Sequence, residues 1–81
     1  MRIVLVIGEQ ECSKCRKAKK ILGKIVEEYP SVEWVTLRYD EPEAAEYGIV
    51  MSPTVIVDNT IIASGRAPNQ KRLTAFIEAS L

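Results

Sequence analysis

The chain's two cysteines, Cys12 and Cys15, stand where one hydrophobic pattern gives way to another. An uninterrupted apolar run, Ile3 to Ile7, precedes them and predicts a strand buried on both faces. From Ser13 onward, apolar residues recur at steps of three and four, which predicts an amphipathic helix. The Cys-x-x-Cys pair therefore marks a junction between a strand and a helix.

The predicted helix has an apolar and a basic side. The apolar stripe consists of Cys15, Ala18, Ile21, Leu22, Ile25, Val26 and Tyr29. The opposite side carries Lys14, Lys17, Lys20 and Lys24. Cys15 is therefore expected to face the core.

Cys12 precedes the first helical turn, where unpaired backbone N–H groups and the helix dipole favour negative charge. A thiol in that position has a lowered pKa, and the thiolate is the nucleophile of disulfide exchange. Lys14 and Arg16 add positive charge nearby, whereas Glu9 and Glu11 oppose it. We expect Lys14 and Glu11 to shift the pKa of the Cys12 thiol in opposite directions.

The cysteine pair has three possible roles: small buried hydrophobes, half of a tetrahedral metal site, or a redox couple. A strand, a turn, Cys-x-x-Cys and a helix in a β-α-β context favour the redox couple. Cys12 would then attack a substrate disulfide from the surface, and Cys15 would resolve the mixed disulfide. With no histidine and no third cysteine, a metal site would need a second copy of the chain or carboxylates such as Glu9 and Glu11. We therefore expect no bound metal.

Length and composition limit the other possibilities. A length of 81 residues predicts one small domain, residues 1–81. Apolar residues at 47% and charged residues at 27% predict a globular chain without a membrane span. A formal net charge of zero gives no general attraction to nucleic acid or an anionic membrane. The apolar stretch after Met1 is too short for a signal-peptide core, so a cytoplasmic protein is expected.

The chain from residue 32 to residue 48 predicts an edge strand and a short helix. Val32–Tyr39 is rich in β-formers, and its Trp34 suits packing or a place near the redox pair. Joined through the long helix, this strand should lie parallel to the first one. Asp40 is then a candidate N-cap for a helix over Glu41–Tyr47, with Glu43 completing a capping box and Gly48 ending the helix.

The remaining chain predicts a hairpin and a last helix. Two β-rich runs surround Asp58-Asn59, and Pro53 suits the entry to the first of them. Asn69 is a candidate cap for the final helix. The apolar stripe of that helix consists of Leu73, Phe76, Ile77 and Leu81. The predicted order is β-α-β-α-β-β-α.

These motifs resemble the thioredoxin and glutaredoxin superfamily over nearly the whole chain. Besides Cys12-Ser13-Lys14-Cys15, Tyr47-Gly48-Ile49 followed three residues later by Pro53-Thr54 is similar to the thioredoxin segment ahead of its cis-proline. Gly65 and the last helix also fall where thioredoxins have theirs. The resemblance implies an α/β, thioredoxin-like fold in a minimal form, with a four-stranded mixed sheet flanked by helices.

The resemblance also implies roles for individual residues. Cys12 would be the attacking thiol, and Pro53 would follow a cis peptide bond. Ser52 would lie close to Cys12 and offer its backbone to an extended substrate segment. Gly65 would leave room on the other side of that groove. Met51 would either contact substrate in the groove or simply pack.

Three departures from the family pattern affect the expected chemistry. Glu11 stands where thioredoxins usually have tryptophan, and Ser52 replaces the common isoleucine or threonine. Val6 stands where they carry a buried aspartate that helps deprotonate the resolving thiol. Water or Glu9 would then have to accept the proton of Cys15.

We therefore expect a thiol-disulfide oxidoreductase that reduces or exchanges protein disulfides without a bound cofactor. It would be a cytoplasmic monomer whose electrons come from a separate disulfide reductase. Two alternatives remain. One is glutathione-linked, glutaredoxin-type activity, in which Lys14 and Arg66 meet a glutathione carboxylate, although Ser64-Gly65-Arg66-Ala67 does not reproduce the glutaredoxin pattern. The other is a non-enzymatic metal-binding or adaptor domain on the same scaffold.

Overall fold

A computed structural model describes residues 1–8, 13–48 and 51–81. The elements follow the order that the sequence predicts, β-α-β-α-β-β-α. They are β1 (Arg2–Ile7), α1 (Ser13–Glu28), β2 (Glu33–Arg38), α2 (Pro42–Glu46), β3 (Thr54–Val57), β4 (Thr60–Ser64) and α3 (Gln70–Ser80). Among the described residues, no helix combines the length and hydrophobicity needed to cross a membrane.

The strands form one mixed sheet in the order β2-β1-β3-β4. β1 and β2 are parallel, as predicted for strands joined by a helical crossover, and Ile3 is in register with Trp34. β3 runs antiparallel to β1 and to β4. The prediction of an α/β fold with a four-stranded mixed sheet flanked by helices is confirmed.

The central strand β1 is covered on both faces, because its alternate side chains enter two different clusters. Ile3 and Leu5 pack with α1, α3 and part of β3 in the larger cluster. Val4 and Val6 pack with Leu37 and with α2 in the smaller one. The fully apolar run of β1 is explained by this two-sided burial.

The hairpin and the last helix begin as the sequence predicts. Asp58 and Asn59 adopt φ angles of 45° and 71°, the left-handed region that a two-residue hairpin turn requires. Asn69 caps α3, since its side-chain oxygen accepts a hydrogen bond of 3.0 Å from the backbone N–H of Arg72. The apolar stripe of α3 stops at Ile77, however. Leu81 lies beyond the last helical residue and is 65% exposed, so its predicted packing was wrong.

The predicted cap of the second helix was also wrong. α2 starts at Pro42, which needs no N–H partner at the first helical position, so the N-cap is Glu41 rather than Asp40. The carboxylate of Asp40 pairs with Arg38 at 3.2 Å instead. Glu43 pairs with Arg2 at 2.9 Å and closes no capping box.

Trp34 lies near the start of β1, at the end of the sheet opposite Gly8. Its ring is half-buried and packs against the larger cluster. Of the two roles predicted for Trp34, the structure therefore supports packing against the core.

Candidate functional site

Three chain segments converge at the carboxyl end of β1. Strand β3 runs antiparallel to β1 and begins beside its end, where Val6 pairs with Thr54. The loop before β3 therefore lies close to Gly8. A Cβ added at Gly8 would lie 3.3 Å from Ser52 Oγ. Helix α1 begins at Ser13 and contributes Cys15 to the same region.

Cys15 is buried on the first turn of α1, with 1% of its surface exposed. Its position on the inner side of the helix confirms the periodicity argument. The Cys15 Sγ atom lies 3.9 Å from Ser52 Oγ, within the range of a weak hydrogen bond to sulfur. Cys12 and Glu11 lie outside the described residues, so their predicted roles remain predictions.

The loop over residues 51–53 is held by contacts to the first residue of β3 and to the residue that follows β4. The peptide bond between Ser52 and Pro53 is cis, as the resemblance implies. The hydroxyl of Thr54 donates a hydrogen bond of 2.7 Å to the carbonyl of Met51. The Pro53 carbonyl accepts one of 2.8 Å from the N–H of Gly65. The position of Ser52 against Cys15 is therefore fixed from two sides.

Met51 and Gly65 form one wall of this region. Met51 is 54% exposed, and a Cβ added at Gly65 would lie 2.5 Å from its terminal methyl group. Gly65 also has a φ of 75°, a conformation that glycine adopts without steric cost. The structure thus brings together five predicted site residues: Cys15, Met51, Ser52, Pro53 and Gly65.

Two further residues of this region received no role from the sequence. Thr54 is fully buried, and its hydroxyl anchors the loop. In the sequence it looks like an ordinary β-former at a strand entry. Gly8 leaves space for Ser52, whereas in the sequence it is only a turn residue after a strand. Neither residue type by itself reveals these contacts in the sequence.

The groups that the sequence offers as charges or proton acceptors near the cysteine pair lie partly within the described residues. Lys14 is exposed on the first turn of α1. Val6 is fully buried in the smaller cluster, so the side chain at that position offers no proton acceptor. Glu9 lies outside the described residues. Within residues 1–8, 13–48 and 51–81, no group of three or more histidine, cysteine, aspartate or glutamate side chains is arranged to hold a metal ion.

Comparison with known proteins agrees with this geometry. A family model described as the thioredoxin domain matches residues 1–78. The chain belongs to the thioredoxin family. Among curated proteins, it is similar to a thioredoxin of Methanocaldococcus jannaschii, with 29% identity over 73 residues. That match covers 86% of this chain and 85% of the relative.

Solved thioredoxin structures share the fold. The mitochondrial thioredoxin 3 of Saccharomyces cerevisiae, in its oxidized form, has a TM-score of 0.70 at 23% identity, with 96% of this chain and 76% of that chain covered. Thioredoxin f2 of Chlamydomonas reinhardtii has a TM-score of 0.71 at 19% identity, with 98% and 77% covered. Membership of the thioredoxin family, together with this fold, supports a role of the thiol-disulfide oxidoreductase kind.

Proposed function

We propose that this protein reduces or exchanges protein disulfides through a dithiol couple formed by Cys12 and Cys15. The observation that carries the proposal is the burial of Cys15 on the first turn of α1, in contact with Ser52 of the loop before Pro53. A shielded thiol beside a loop that carries the exposed Met51 suits a resolving role, because a large substrate cannot reach the thiol directly. The Cys-x-x-Cys spacing supplies Cys12 as its partner.

The reaction takes place in two exchange steps. The Cys12 thiolate attacks one sulfur of the substrate disulfide, which breaks that bond and releases the first substrate thiolate. The Cys15 thiolate then attacks the Cys12 sulfur of the mixed disulfide and releases the second. The substrate gains two electrons, and the protein is left with an intramolecular disulfide. The two released substrate thiolates take up protons, while Cys12 and Cys15 have each given one up. A separate dithiol reductase would return the protein to its reduced form.

The substrate segment would bind along the loop over residues 51–53. Ser52 would offer its backbone to an extended strand, while Met51 and Gly65 form the adjacent wall. The exposed methionine is adaptable, which suits substrates of varied sequence. The side chain of Val6 cannot accept a proton, whereas the Ser52 hydroxyl lies 3.9 Å from the Cys15 sulfur and can interact with it.

The first test is a pair of cysteine variants with a protein disulfide as substrate. Cys12→Ser should abolish reduction, because the attacking thiol is missing. Cys15→Ser should retain the first attack and accumulate the mixed disulfide, which mass spectrometry detects as a covalent adduct. Equal turnover by both variants would contradict the assigned roles.

A redox titration of the unmodified protein is the complementary experiment. Alkylation of free thiols should follow a single two-electron transition and yield an intramolecular disulfide. Thiols that never pair within one chain would favour a scaffold without redox activity. Faster reduction of glutathione mixed disulfides than of protein disulfides would favour glutaredoxin-type activity instead.

A further inference from the structure

A cavity of about 320 Å³ lies between α1, the end of β4 and the start of α3, apart from the cysteine region. Its cationic lining residues come from three separate parts of the chain: Lys17 from α1, Arg66 from the loop after β4, and Arg72 from α3. No aspartate or glutamate of the described residues lines it. The redox reaction proposed above does not use these three cations.

The positive charge of this cavity is not neutralised by the described part of the protein. Lys17, Arg66 and Arg72 are exposed, and within the described ranges none of these side chains has an ion-pair partner. The chain as a whole has no net charge. The cluster is thus a local concentration of charge rather than a consequence of a basic protein.

The rest of the lining is largely apolar. It consists of Ile62, Ala63, Ala67 and Pro68, of which Ala63 and Pro68 are buried, and of one uncharged polar residue, Asn69, whose side chain caps α3. Cations at the rim and an apolar wall suit a small molecule with an anionic group and a small organic body. The volume is at the lower end of that of small-molecule sites, which is about 300 to 1,000 Å³.

We propose that this cavity binds a small phosphorylated molecule whose phosphate is held by Lys17, Arg66 and Arg72. A phosphomonoester carries a charge of about −1.5 to −2 at neutral pH, which three cations can balance. The two guanidinium groups present planar pairs of N–H donors that match phosphate oxygens. The body of the molecule would pack against Ile62 and Pro68. Because Arg66 follows Gly65 directly, the bound ligand would lie one residue along the chain from the wall formed by Gly65 and Met51.

The test uses three probes of graded chemistry at low ionic strength, titrated into the full chain and followed by calorimetry. Phenyl phosphate should bind with one-to-one stoichiometry and more tightly than inorganic phosphate, because only the ester fills the apolar part. Phenol should not bind measurably. Added salt should weaken phenyl phosphate binding, since the cations are exposed.

Matched variants locate the site. Lys17→Gln and Arg72→Gln should each weaken phenyl phosphate binding about tenfold, as expected for the loss of one charge-assisted contact. Lys20→Gln and Lys71→Gln remove cations that are also exposed but do not line the cavity, and each should change affinity by less than about twofold. Circular dichroism checks that all four variants are folded.

Three results would overturn the proposal. One is an equal loss of affinity in the control variants, which would indicate general charge attraction. Another is phenol binding as well as phenyl phosphate does. The third is binding of a tetraglutamate peptide without binding of phenyl phosphate, which would indicate a docking surface for acidic protein segments. None of these readouts depends on thiol chemistry, so they are independent of the proposed oxidoreductase activity.

Discussion

At the scale of single residues, the contact between Ser52 and Cys15 involves a position where this chain departs from the common family pattern. Family members commonly have isoleucine or threonine before the proline and an aspartate at the position of Val6. Here the aspartate is replaced by a buried valine, and a serine hydroxyl lies 3.9 Å from the buried sulfur. A hydroxyl at that distance can donate a weak hydrogen bond to a thiolate and so stabilise it.

We therefore predict that Ser52→Ala slows the second exchange step. The loss of a weak hydrogen bond to the attacking Cys15 thiolate should lengthen the lifetime of the mixed disulfide about threefold. The rate of the first attack by Cys12 should change less. Quenched-flow experiments, with mass spectrometry of the adduct at each time point, separate the two steps. A faster second step in Ser52→Ala would contradict this role.

Gly65 and Gly48 offer a matched pair of variants at the same scale. Both have positive φ angles, 75° and 68°, so alanine at either position should cost about 1 to 2 kcal/mol of unfolding free energy. Among the described residues, a Cβ at Gly48 meets nothing within 4 Å, whereas one at Gly65 meets the end of the Met51 side chain. Because Met51 is exposed and flexible, it should move aside at little energetic cost.

The two glycine variants should therefore differ in activity rather than in stability. Gly65→Ala displaces Met51 from the wall of the proposed groove and should slow reduction of a protein disulfide. Gly48→Ala should lose similar stability in urea denaturation and retain its rate. Equal rates in the two variants would contradict a role for Met51 and Gly65 in binding the substrate.

At the scale of elements, α1 and α3 are joined by more than their shared core. The hydroxyl of Tyr29, just after α1, donates a hydrogen bond to the carboxylate of Glu78 on α3. This bond, together with the nearby negative charge, raises the pKa of Tyr29 to about 12 from an ordinary value of 10.0. The protonated phenol is therefore favoured in the folded state.

The direction of this shift sets a pH dependence of stability. The hydrogen bond contributes fully below pH 10, and its contribution is lost as the pH rises from 10 towards 12. Tyr29→Phe should therefore be less stable than the unmodified protein at pH 8, and the difference should shrink above pH 10. Parallel urea denaturation curves for the two proteins at each pH measure it. A difference independent of pH would contradict the assigned bond.

At the scale of the whole molecule, a chain of 81 residues is expected to have a small free energy of unfolding. Typical values predict roughly 4 to 12 kcal/mol in total. The larger cluster, where α1 and α3 cover β1 and β3, contains more buried residues than the smaller one, so we expect it to contribute most of this stability. That cluster also supports the turn of α1 that carries Cys15.

Truncation in the larger cluster should consequently affect the entire protein. Leu22 is fully buried, and Leu22→Ala should cost about 2 to 5 kcal/mol. Ile61→Ala is the control, because Ile61 is 53% exposed, and it should cost less than about 1 kcal/mol. Thermal denaturation followed by circular dichroism measures both. Similar melting temperatures for the two variants would show that the cluster is not the main source of stability.

Much of this architecture was predictable from the sequence, because the signals are local. The recurrence of apolar residues every three or four positions in α1 places Cys15 on the inner face of the helix. The uninterrupted apolar sequence of β1 requires burial on both faces. The side chain of Asn69 caps α3 by accepting a hydrogen bond from a residue three positions later. Local rules failed where two of them competed. Pro42 determined where α2 starts, so Asp40 paired with Arg38 instead of capping the helix.

The contacts that make the candidate sites depended on the tertiary structure. Cys15 meets Ser52 across 37 residues of chain, because the order of the sheet places the start of β3 beside the end of β1. Lys17 shares a cavity with Arg66 and Arg72 only because α1 and α3 pack on the same face. Propensity, periodicity and capping act over a few residues and are therefore readable in the sequence. Which distant side chains meet is decided by strand order and helix packing, which are properties of the whole fold.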